Sequence, residues 1–355
     1  MTITVDCRAI EEGSGIGVYL RECLPIFLDS ENRFLLIGSG EKLAVFAGCK
    51  NAEIIDCRIK PFSVREILFF GSGILTKINK TNLYYSPYFN IPGGITVPVY
   101  TTIHDIIFPD MPELTSTAGL AIRMWFYRRA FKRSKKIFTV SEFSKSRINF
   151  FSRTKVPVIV THSAVRRHFL EGLYSSVLKK HFILFVGNIK KHKGLNILLD
   201  AFLAARNEGL RHKLVIAGNR NNFRSKDKAF LKKLDSAGTE VEFTGYLSNK
   251  ALHGLLAETS LLVQPSLYEG FCLPPLEAMT AGTKVLLSDI PVFREIYGDF
   301  PVTFFRAGDS GDLKEKLFSL LRDQKPQSVS LPGNLAEKYS FEKTAGIILK
   351  ELEKP

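Results

Sequence analysis

Two glutamates separated by a short loop are the residues most suited to chemistry in this sequence. Glu269 and Glu277 lie in residues 266–286, SLYEGFCLPPLEAMTAGTKVL, directly after an apolar strand that ends at Gln264. A carboxylate accepts two hydrogen bonds at once from neighbouring hydroxyls, so such a pair is typical of sugar or ribose recognition. The alternative is a helix-capping carboxylate with a solvated neighbour.

The residues around these glutamates predict a strand, a loop and a helix start. Pro274 and Pro275 suit the first turn of a helix, where a missing N–H costs nothing, and Gly282 can end that helix. Open α/β sheets bind ligands at the carboxyl edge of their strands, and helix N-termini bind phosphate. We therefore expect phosphate-binding main-chain amides in the loop, at Gly270, Phe271, Cys272 and Leu273.

A second loop carries basic residues after a predicted strand. Residues 182–194, FILFVGNIKKHKG, place Lys190 and Lys193 between an apolar run and the next helix. A positioned ammonium group can neutralise a diphosphate leaving group. A solvated basic loop is the alternative, since the chain has a net charge of +14.

Two segments of the first half also suit ligand binding. Residues 13–19, GSGIGVY, follow the first predicted strand and open a helix, so Gly15 and Gly17 could let the backbone approach a phosphate closely. A tight turn would explain the same glycines. His104 ends an apolar strand and could orient a hydroxyl, or donate a hydrogen bond to one near neutral pH. A structural histidine at a strand end is the alternative.

The elements that must position these residues alternate along the whole chain. Short apolar runs followed by amphipathic segments are the signature of βα units and a parallel sheet. The 355 residues fit two domains, which we place at 1–165 and 166–340, joined by a basic linker at 161–180; a C-terminal helix at 341–355 can cross back to the first domain. We predict strands near residues 3–5, 34–37, 53–56, 83–85, 97–103, 137–140, 158–160, 182–186, 213–217, 241–243, 261–264, 284–287 and 302–304.

Composition narrows the class of protein. The five cysteines are odd in number and contain no C-x-x-C pair, so a zinc or disulfide framework is not expected. No D-x-D sequence occurs, so we expect neither a metal nor a cofactor. The N-terminus looks like a first strand and not a signal peptide, and no run approaches the ~20 apolar residues of a membrane span. We expect a cytoplasmic protein.

The excess of positive charge is concentrated in one segment. Residues 120–136, LAIRMWFYRRAFKRSKK, mix basic and aromatic residues at helical spacing. Such a helix suits the face of an anionic membrane, and a packed helix with a solvated basic stripe is the alternative. The membrane hypothesis places the protein at the inner face of the cell membrane through Arg123, Trp125, Arg128, Arg129, Lys132 and Arg133.

The run 269–277, EGFCLPPLE, closely resembles the E-x-seven-E signature of the retaining glycosyltransferases called group one or family four. The resemblance implies the GT-B fold, an α/β architecture of two doubly wound Rossmann-like domains facing each other across a cleft. It implies that Glu269 contacts the donor sugar and Glu277 the ribose of the nucleotide. The family usually has glycine where this chain has Cys272.

Other segments resemble the same family in the expected order. The glycine loop with Gly15 and Gly17 is similar to its Gly-Ile-Gly-x-Tyr loop near the donor phosphates, and His104 to a histidine near the reacting sugar. Lys193 matches a family lysine, whereas Asn188 stands where an arginine is common and Lys190 can substitute for it. Residues 244–249, TGYLSN, look like the turn whose backbone, here at Tyr246 and Leu247, reads the nucleobase.

The resemblance implies transfer of a hexose from a nucleoside diphosphate sugar to a glycan or lipid-linked acceptor, with retention by front-face attack. The catalytic residues would be His104, Glu269 and Lys193. The motifs look most like those of bacterial mannosyl- or rhamnosyltransferases. This likeness favours GDP-mannose as the donor. A nucleotide-sugar epimerase on the same fold and a non-catalytic binder of anionic polymers remain alternatives, although no nucleic-acid-binding module is recognised.

Overall fold

The computed structural model describes residues 1–10, 15–153, 155–166, 169, 178–218, 228–322 and 337–354. Gly13 and half of the predicted linker at 161–180 lie outside these residues. The chain forms two compact units. The first, the N-terminal unit, comprises Met1–Ala164 and Lys338–Pro355, and the second, the C-terminal unit, comprises Val165–Glu337.

The N-terminal unit contains a parallel sheet of seven strands in the order β3-β2-β1-β4-β5-β6-β7. These strands are β1 (Thr2–Asp6), β2 (Arg33–Gly38), β3 (Ala52–Asp56), β4 (Leu83–Ser86), β5 (Val99–Thr102), β6 (Ser134–Thr139) and β7 (Val158–Val160). The helices are α1 (Gly15–Leu28), α2 (Gly40–Leu43), α3 (Val64–Leu68), α4 (Ser72–Ile78), α5 (Ile107–Asp110), α6 (Thr117–Arg133) and α7 (Glu142–Ser152), with 3₁₀ turns at Ala44–Phe46 and Pro112–Leu114.

The C-terminal unit contains a parallel sheet of six strands in the order β10-β9-β8-β11-β12-β13. These are β8 (Lys180–Val186), β9 (Lys213–Ala217), β10 (Val241–Phe243), β11 (Thr259–Gln264), β12 (Val285–Ser288) and β13 (Thr303–Phe305). Its helices are α8 (Leu195–Asn207), α9 (Lys228–Ala237), α10 (Asn249–Glu258), α11 (Pro274–Thr280), α12 (Pro291–Tyr297) and α13 (Ser310–Leu321), with 3₁₀ turns at Lys191–Lys193 and Gly238–Glu240.

Both sheets follow from the apolar runs in the sequence. Parallel strands are covered by helices on both faces, so they consist of nearly continuous apolar residues. In β2 every residue after Arg33 is buried, and in β11 only Ser260 is not fully buried. The structure confirms the α/β class and the doubly wound sheets, since each predicted strand has a counterpart within a few residues of its predicted bounds.

The last helix of the described chain, α14 (Phe341–Glu353), packs in the N-terminal unit against α1. Its apolar face buries Phe341, Ala345 and Ile348. Polar contacts also hold it, because Lys136 Nζ of β6 donates to the main-chain oxygen of Glu351 at 3.0 Å and to its carboxylate at 2.9 Å.

The strand order locates the ligand edge of each unit. In a doubly wound sheet, ligands bind beyond the carboxyl ends of the strands where the strand order reverses. This point lies between β1 and β4 in the N-terminal unit and between β8 and β11 in the C-terminal unit. The loops that follow β8 and β11 contain Lys193 and Glu269, so the fold brings these two predicted residues to one edge.

The basic segment at 120–136 is not helical throughout. Helix α6 ends at Arg133, and Ser134, Lys135 and Lys136 belong to strand β6. The cause is packing, since Ser134 is buried and β6 pairs with β5 in the sheet, which overrides the helical spacing of the charges. Among the described helices, none combines the length and hydrophobicity required to cross a bilayer.

Candidate functional site

The loops after β8 and β11 are fixed against each other by their main chains. Gly194 has φ +67°, and a Cβ on it would lie 1.9 Å from the oxygen of Pro265, so this close approach requires glycine. The amide of Leu267 donates to the main-chain oxygen of His192 at 2.7 Å. The side chains that extend from these two loops therefore start from a rigid base at the carboxyl edge of the sheet.

Lys193 and Glu269 meet at this edge. Glu269 Oε1 accepts a hydrogen bond from Lys193 Nζ at 2.6 Å and another from Ser266 Oγ at 2.7 Å. The carboxylate of Glu269 is nearly buried, whereas the Lys193 side chain is 21% exposed. The arrangement therefore offers an oriented carboxylate beside an ammonium group that solvent, and hence a ligand, can reach.

Cys272 adopts an unusual backbone conformation in the same loop. Its φ of +76° lies in the left-handed region, which favours glycine. The hydroxyl of Tyr297 donates to its main-chain oxygen, which holds the conformation. Burial raises the pKa of the Cys272 thiol well above its ordinary value, and the negative charge of Glu269 raises it further. The thiol therefore stays protonated near neutral pH and is a poor nucleophile.

The left-handed backbone conformation of Cys272 leads to a testable prediction about the stability of the protein. We expect Cys272→Val to lower the free energy of unfolding by about 1–3 kcal/mol relative to Cys272→Gly, because a β-branched residue is strained at positive φ. Urea unfolding of both variants measures the difference. The matched pair Cys49→Val and Cys49→Gly should show no such penalty for valine, since Cys49 is not among the residues with positive φ. Equal stability of the two Cys272 variants would contradict the prediction.

Glu277 is buried and paired with a residue that the sequence did not suggest. Its Oε1 accepts from Arg166 Nε at 2.7 Å, and its side chain is 3% exposed. Burial raises the pKa of Glu277, and the charge and hydrogen bond of Arg166 oppose that rise. Arg166 Nη1 in turn donates to Asn249 Oδ1 at 2.5 Å, which links Glu277 to the start of α10.

The remaining residues of the C-terminal unit that are predicted to bind the donor lie on three of its loops. Gly270 and Phe271 are buried and Leu273 is half-buried, all in the loop that holds Glu269. Asn188 and Lys190 are exposed in the loop after β8. Tyr246 is 61% exposed and Leu247 half-buried, in the turn between β10 and α10. Within the C-terminal unit, the predicted residues thus lie on loops at the carboxyl edge of the strands.

In the N-terminal unit, His104 follows strand β5. Its Nε2 lies 2.9 Å from the oxygen of Pro87, and Tyr19 packs edge-on against its ring with centroids 4.9 Å apart. A carbonyl oxygen only accepts, so Nε2 carries the proton and Nδ1 of the neutral ring is an acceptor. Burial lowers the pKa of His104 to about 4. At neutral pH the ring can therefore accept a hydrogen bond from a hydroxyl, whereas the expected donation to one is not available from Nδ1.

The glycine loop is more helical than predicted. Gly15 is the first residue of α1 and Gly17 lies within this helix. Tyr19 and Leu20 of the same helix are buried. A Cβ at Gly15 would meet no described atom within 4 Å. Gly15 is therefore not required by packing against the described residues, and Gly13 lies outside them.

Sequence reasoning missed Arg166, Ser266 and His192. Arg166 was assigned to the linker, and its pairing with Glu277 has no local pattern that could reveal it. Ser266 opens the glutamate motif, and its position after strand β11 was an available signal. His192 neighbours Lys193, and burial lowers the pKa of its ring to about 4, so the ring is neutral beside Glu269.

Three of the arginines predicted to contact a membrane instead donate hydrogen bonds to main-chain oxygens of the N-terminal unit. Arg123 Nη1 donates to the Gly119 oxygen at 3.0 Å, and Arg129 Nη2 to the Pro92 oxygen at 3.0 Å. Arg133 donates to the Ile95 oxygen. The Arg129 and Arg133 contacts hold α6 against residues 92–95, whereas the Arg123 bond lies within the helix. The freely exposed part of this face is therefore smaller than the sequence indicates: Ile122, Trp125, Arg128 and Lys132.

Comparison with known proteins agrees with this geometry. Residues 174–337 match the family model described as glycosyl transferases group 1. The chain is 26% identical over 276 residues to the O-antigen chain mannosyltransferase B of Escherichia coli, which covers 74% of this chain and 71% of that protein. It is 24% identical over 245 residues to the O-antigen chain mannosyltransferase RfbU of Salmonella typhimurium, covering 68% of this chain and 65% of that protein.

A solved structure extends the likeness to the whole chain. Anabaena Alr3699/HepE in complex with UDP and glucose superposes with a TM-score of 0.72 at 14% identity, covering 99% of both chains. This match identifies the fold, and the family match identifies the enzyme class. An epimerase or a non-catalytic polymer binder finds no support among these matches. Residues 174–337 thus match the group 1 glycosyltransferases, the relatives support glycosyltransferase activity, and the whole chain has the GT-B fold.

Proposed function

We propose that this enzyme transfers a mannosyl residue from GDP-mannose to a glycan or lipid-linked acceptor in the synthesis of a bacterial surface polysaccharide, with retention of configuration. The observation that carries the proposal is the Lys193–Glu269 pair at the carboxyl edge between β8 and β11, where a sheet of this topology binds ligands. The two mannosyltransferase relatives favour mannose as the transferred sugar.

The proposed chemistry uses the two groups differently. The Glu269 carboxylate accepts hydrogen bonds from hydroxyls of the donor sugar, and the Lys193 ammonium stabilises the charge that develops on the leaving diphosphate. The acceptor oxygen forms its bond to the anomeric carbon on the face from which the phosphate oxygen departs. The acceptor proton passes to that phosphate oxygen, so charge and atoms balance without a covalent enzyme intermediate.

The proposal also includes independence from a metal ion and from any cofactor. Its support is the Lys193 ammonium beside Glu269 at the carboxyl edge of the sheet, together with the prediction that the amides of residues 270–273 bind phosphate. Transfer should then continue unchanged when EDTA is added and Mg²⁺ is withheld. A requirement for Mg²⁺ would overturn this part alone.

A panel of nucleoside diphosphates tests the donor. A ligand that binds only the folded protein stabilises it by about 2.7 kcal/mol at 100 times its Kd. GDP should raise the melting temperature more than UDP or dTDP, and GDP-mannose should release GDP slowly in the absence of acceptor. Greater stabilisation by UDP would refute the GDP assignment, and no response to any nucleotide would refute the proposed function.

We also propose that the enzyme rests against an anionic membrane through α6. The exposed stripe on this helix combines Ile122 at 59% and Trp125 at 48% exposure with Arg128 and Lys132, one and two turns beyond Trp125. Aromatic and aliphatic groups enter the headgroup region while basic groups contact anionic lipids, at about 1 kcal/mol per charge. This would place the enzyme beside lipid-linked acceptors at the inner face of the membrane.

Charge reversal on this stripe should release the protein from vesicles. We expect the double variant Arg128→Glu, Lys132→Glu to bind phosphatidylglycerol vesicles at least about 10-fold more weakly than the wild type in a sedimentation assay. The variant Lys50→Glu, Lys80→Glu changes the net charge equally at exposed positions of the same unit and should bind nearly as well as the wild type. Equal binding of the wild type to neutral vesicles, insensitive to salt, would exclude the membrane contact.

A further inference from the structure

Arg166 connects two parts of the C-terminal unit that the family resemblance implies contact the nucleotide. Its Nε donates to Glu277 Oε1 at 2.7 Å, and its Nη1 donates to Asn249 Oδ1 at 2.5 Å. Glu277 is the proposed ribose-binding carboxylate, and Asn249 ends the 244–249 turn proposed to read the base. One guanidinium group thus spans both.

The Arg166 side chain has little freedom to move. It is 8% exposed, and its guanidinium carbon lies 4.4 Å from the centre of the Phe169 ring. That ring in turn packs against His253 of α10, with centroids 4.4 Å apart. Because a guanidinium group is planar and its donors are fixed relative to one another, immobilising it fixes the orientation of both acceptors.

The pairing determines which part of Glu277 a ligand can use. Oε1 is engaged by Arg166, and within the described chain no other side chain hydrogen-bonds this carboxylate. A carboxylate oxygen has two lone-pair positions, so Oε2 and the remaining position of Oε1 can still accept from two adjacent hydroxyls. Arg166 thereby opposes the effect of burial on the pKa of this carboxyl and holds the carboxylate turned in one direction.

We propose that Arg166 is a positioning residue for nucleotide recognition: it orients the Glu277 carboxylate toward the ribose hydroxyls and ties that carboxylate to the base-reading turn. The inference rests on the proposed function, since it takes a nucleoside diphosphate as the ligand of this site. It predicts that loss of Arg166 weakens recognition of the hydroxyls specifically, not nucleotide binding in general.

The test compares GDP with 2′,3′-dideoxy-GDP by titration calorimetry on the full chain. The wild type should bind GDP at least about 10-fold more tightly, because hydrogen bonds to a charged group are strong. Arg166→Met should reduce this preference to about that of Glu277→Gln while changing the affinity for the dideoxy compound less than about 3-fold. Arg166→Lys, which keeps the charge, should retain part of the preference.

Two controls separate a positioning role from a structural one. Arg206→Met removes an arginine of the same unit, which pairs with Glu240 at 2.9 Å, and should leave the preference unchanged. The double variant Arg166→Met, Glu277→Gln contains no unpaired buried charge, so it keeps the comparison available if the single variant does not fold. It should show the same preference as Glu277→Gln alone.

The outcomes distinguish the inference from the function on which it rests. If Arg166→Met and Arg166→Lys keep the wild-type preference, or weaken both ligands equally, the inference is overturned and the proposed function stands. If the wild type binds neither GDP nor any other nucleoside diphosphate, the proposed function itself fails.

Discussion

Replacement of Lys193 by methionine should lower the rate of sugar transfer by about 100- to 1,000-fold, the usual effect of removing one group that stabilises transition-state charge. Lys193 is the ammonium group that contacts Glu269, at 2.6 Å, on the ligand edge of the C-terminal sheet. Its loss removes the charge that the proposed function assigns to the leaving diphosphate, and it also removes the hydrogen bond that Lys193 donates to Glu269. Release of the nucleoside diphosphate from the donor measures both effects.

The neighbouring Lys191 provides the matched control. It lies in the same 3₁₀ turn and is exposed, so Lys191→Met should change the rate less than about 3-fold. Because Lys193 and Glu269 are in direct contact, the loss in Lys193→Met, Glu269→Gln should be smaller than the sum of the two single losses. A Lys193→Met enzyme that keeps the wild-type rate and melting temperature would remove Lys193 from the mechanism.

The second large effect concerns stability. Arg8→Met should lower the free energy of unfolding by about 3–5 kcal/mol, because it leaves two carboxylates buried without a cation. Arg8 Nη2 contacts Asp6 Oδ2 and Glu66 Oε1, each at 2.6 Å, and all three side chains are at most 3% exposed. Tyr84 and Asn90 add hydrogen bonds to the same carboxylates. Urea unfolding measures the loss.

The loss of stability in Arg8→Met should change with pH in a definite direction. Burial raises the pKa of Asp6, but the charge and hydrogen bonds of Arg8 outweigh it, so the folded pKa lies below the usual value. In the wild type, this contribution to stability is therefore lost as the pH falls through the acidic range. Without Arg8 the buried carboxyls favour protonation, and the deficit of Arg8→Met relative to the wild type should shrink between pH 7 and pH 5.

Two further variants complete the stability test. Arg58→Met removes an exposed arginine that lies 3.5 Å from Asp56, and its effect should stay within about 0.5 kcal/mol. The triple variant Arg8→Met, Asp6→Asn, Glu66→Gln contains no buried charge and should recover part of the loss. A wild-type stability for Arg8→Met would show that this network is not a determinant of the fold.

Much of the fold could be predicted because it depends on the local periodicity of apolar residues along the sequence. Alternating apolar runs and amphipathic segments specified the strands of both sheets. Pro274 at the start of α11 and Gly282 just after its end were also confirmed. Such signals involve residues only a few positions apart, so they are readable without the tertiary structure.

The sequence by itself determined the α/β class, the order of the elements and the two loops that carry Lys193 and Glu269. Only the tertiary structure decided which charges pair, for Arg166 meets Glu277 and Arg8 meets Glu66 across long stretches of chain. It also decided the protonated nitrogen of His104 and the left-handed backbone of Cys272. The physical reason is that periodicity is a property of neighbours along the chain, whereas burial, ion pairing and pKa values depend on which distant residues share the same low-dielectric space.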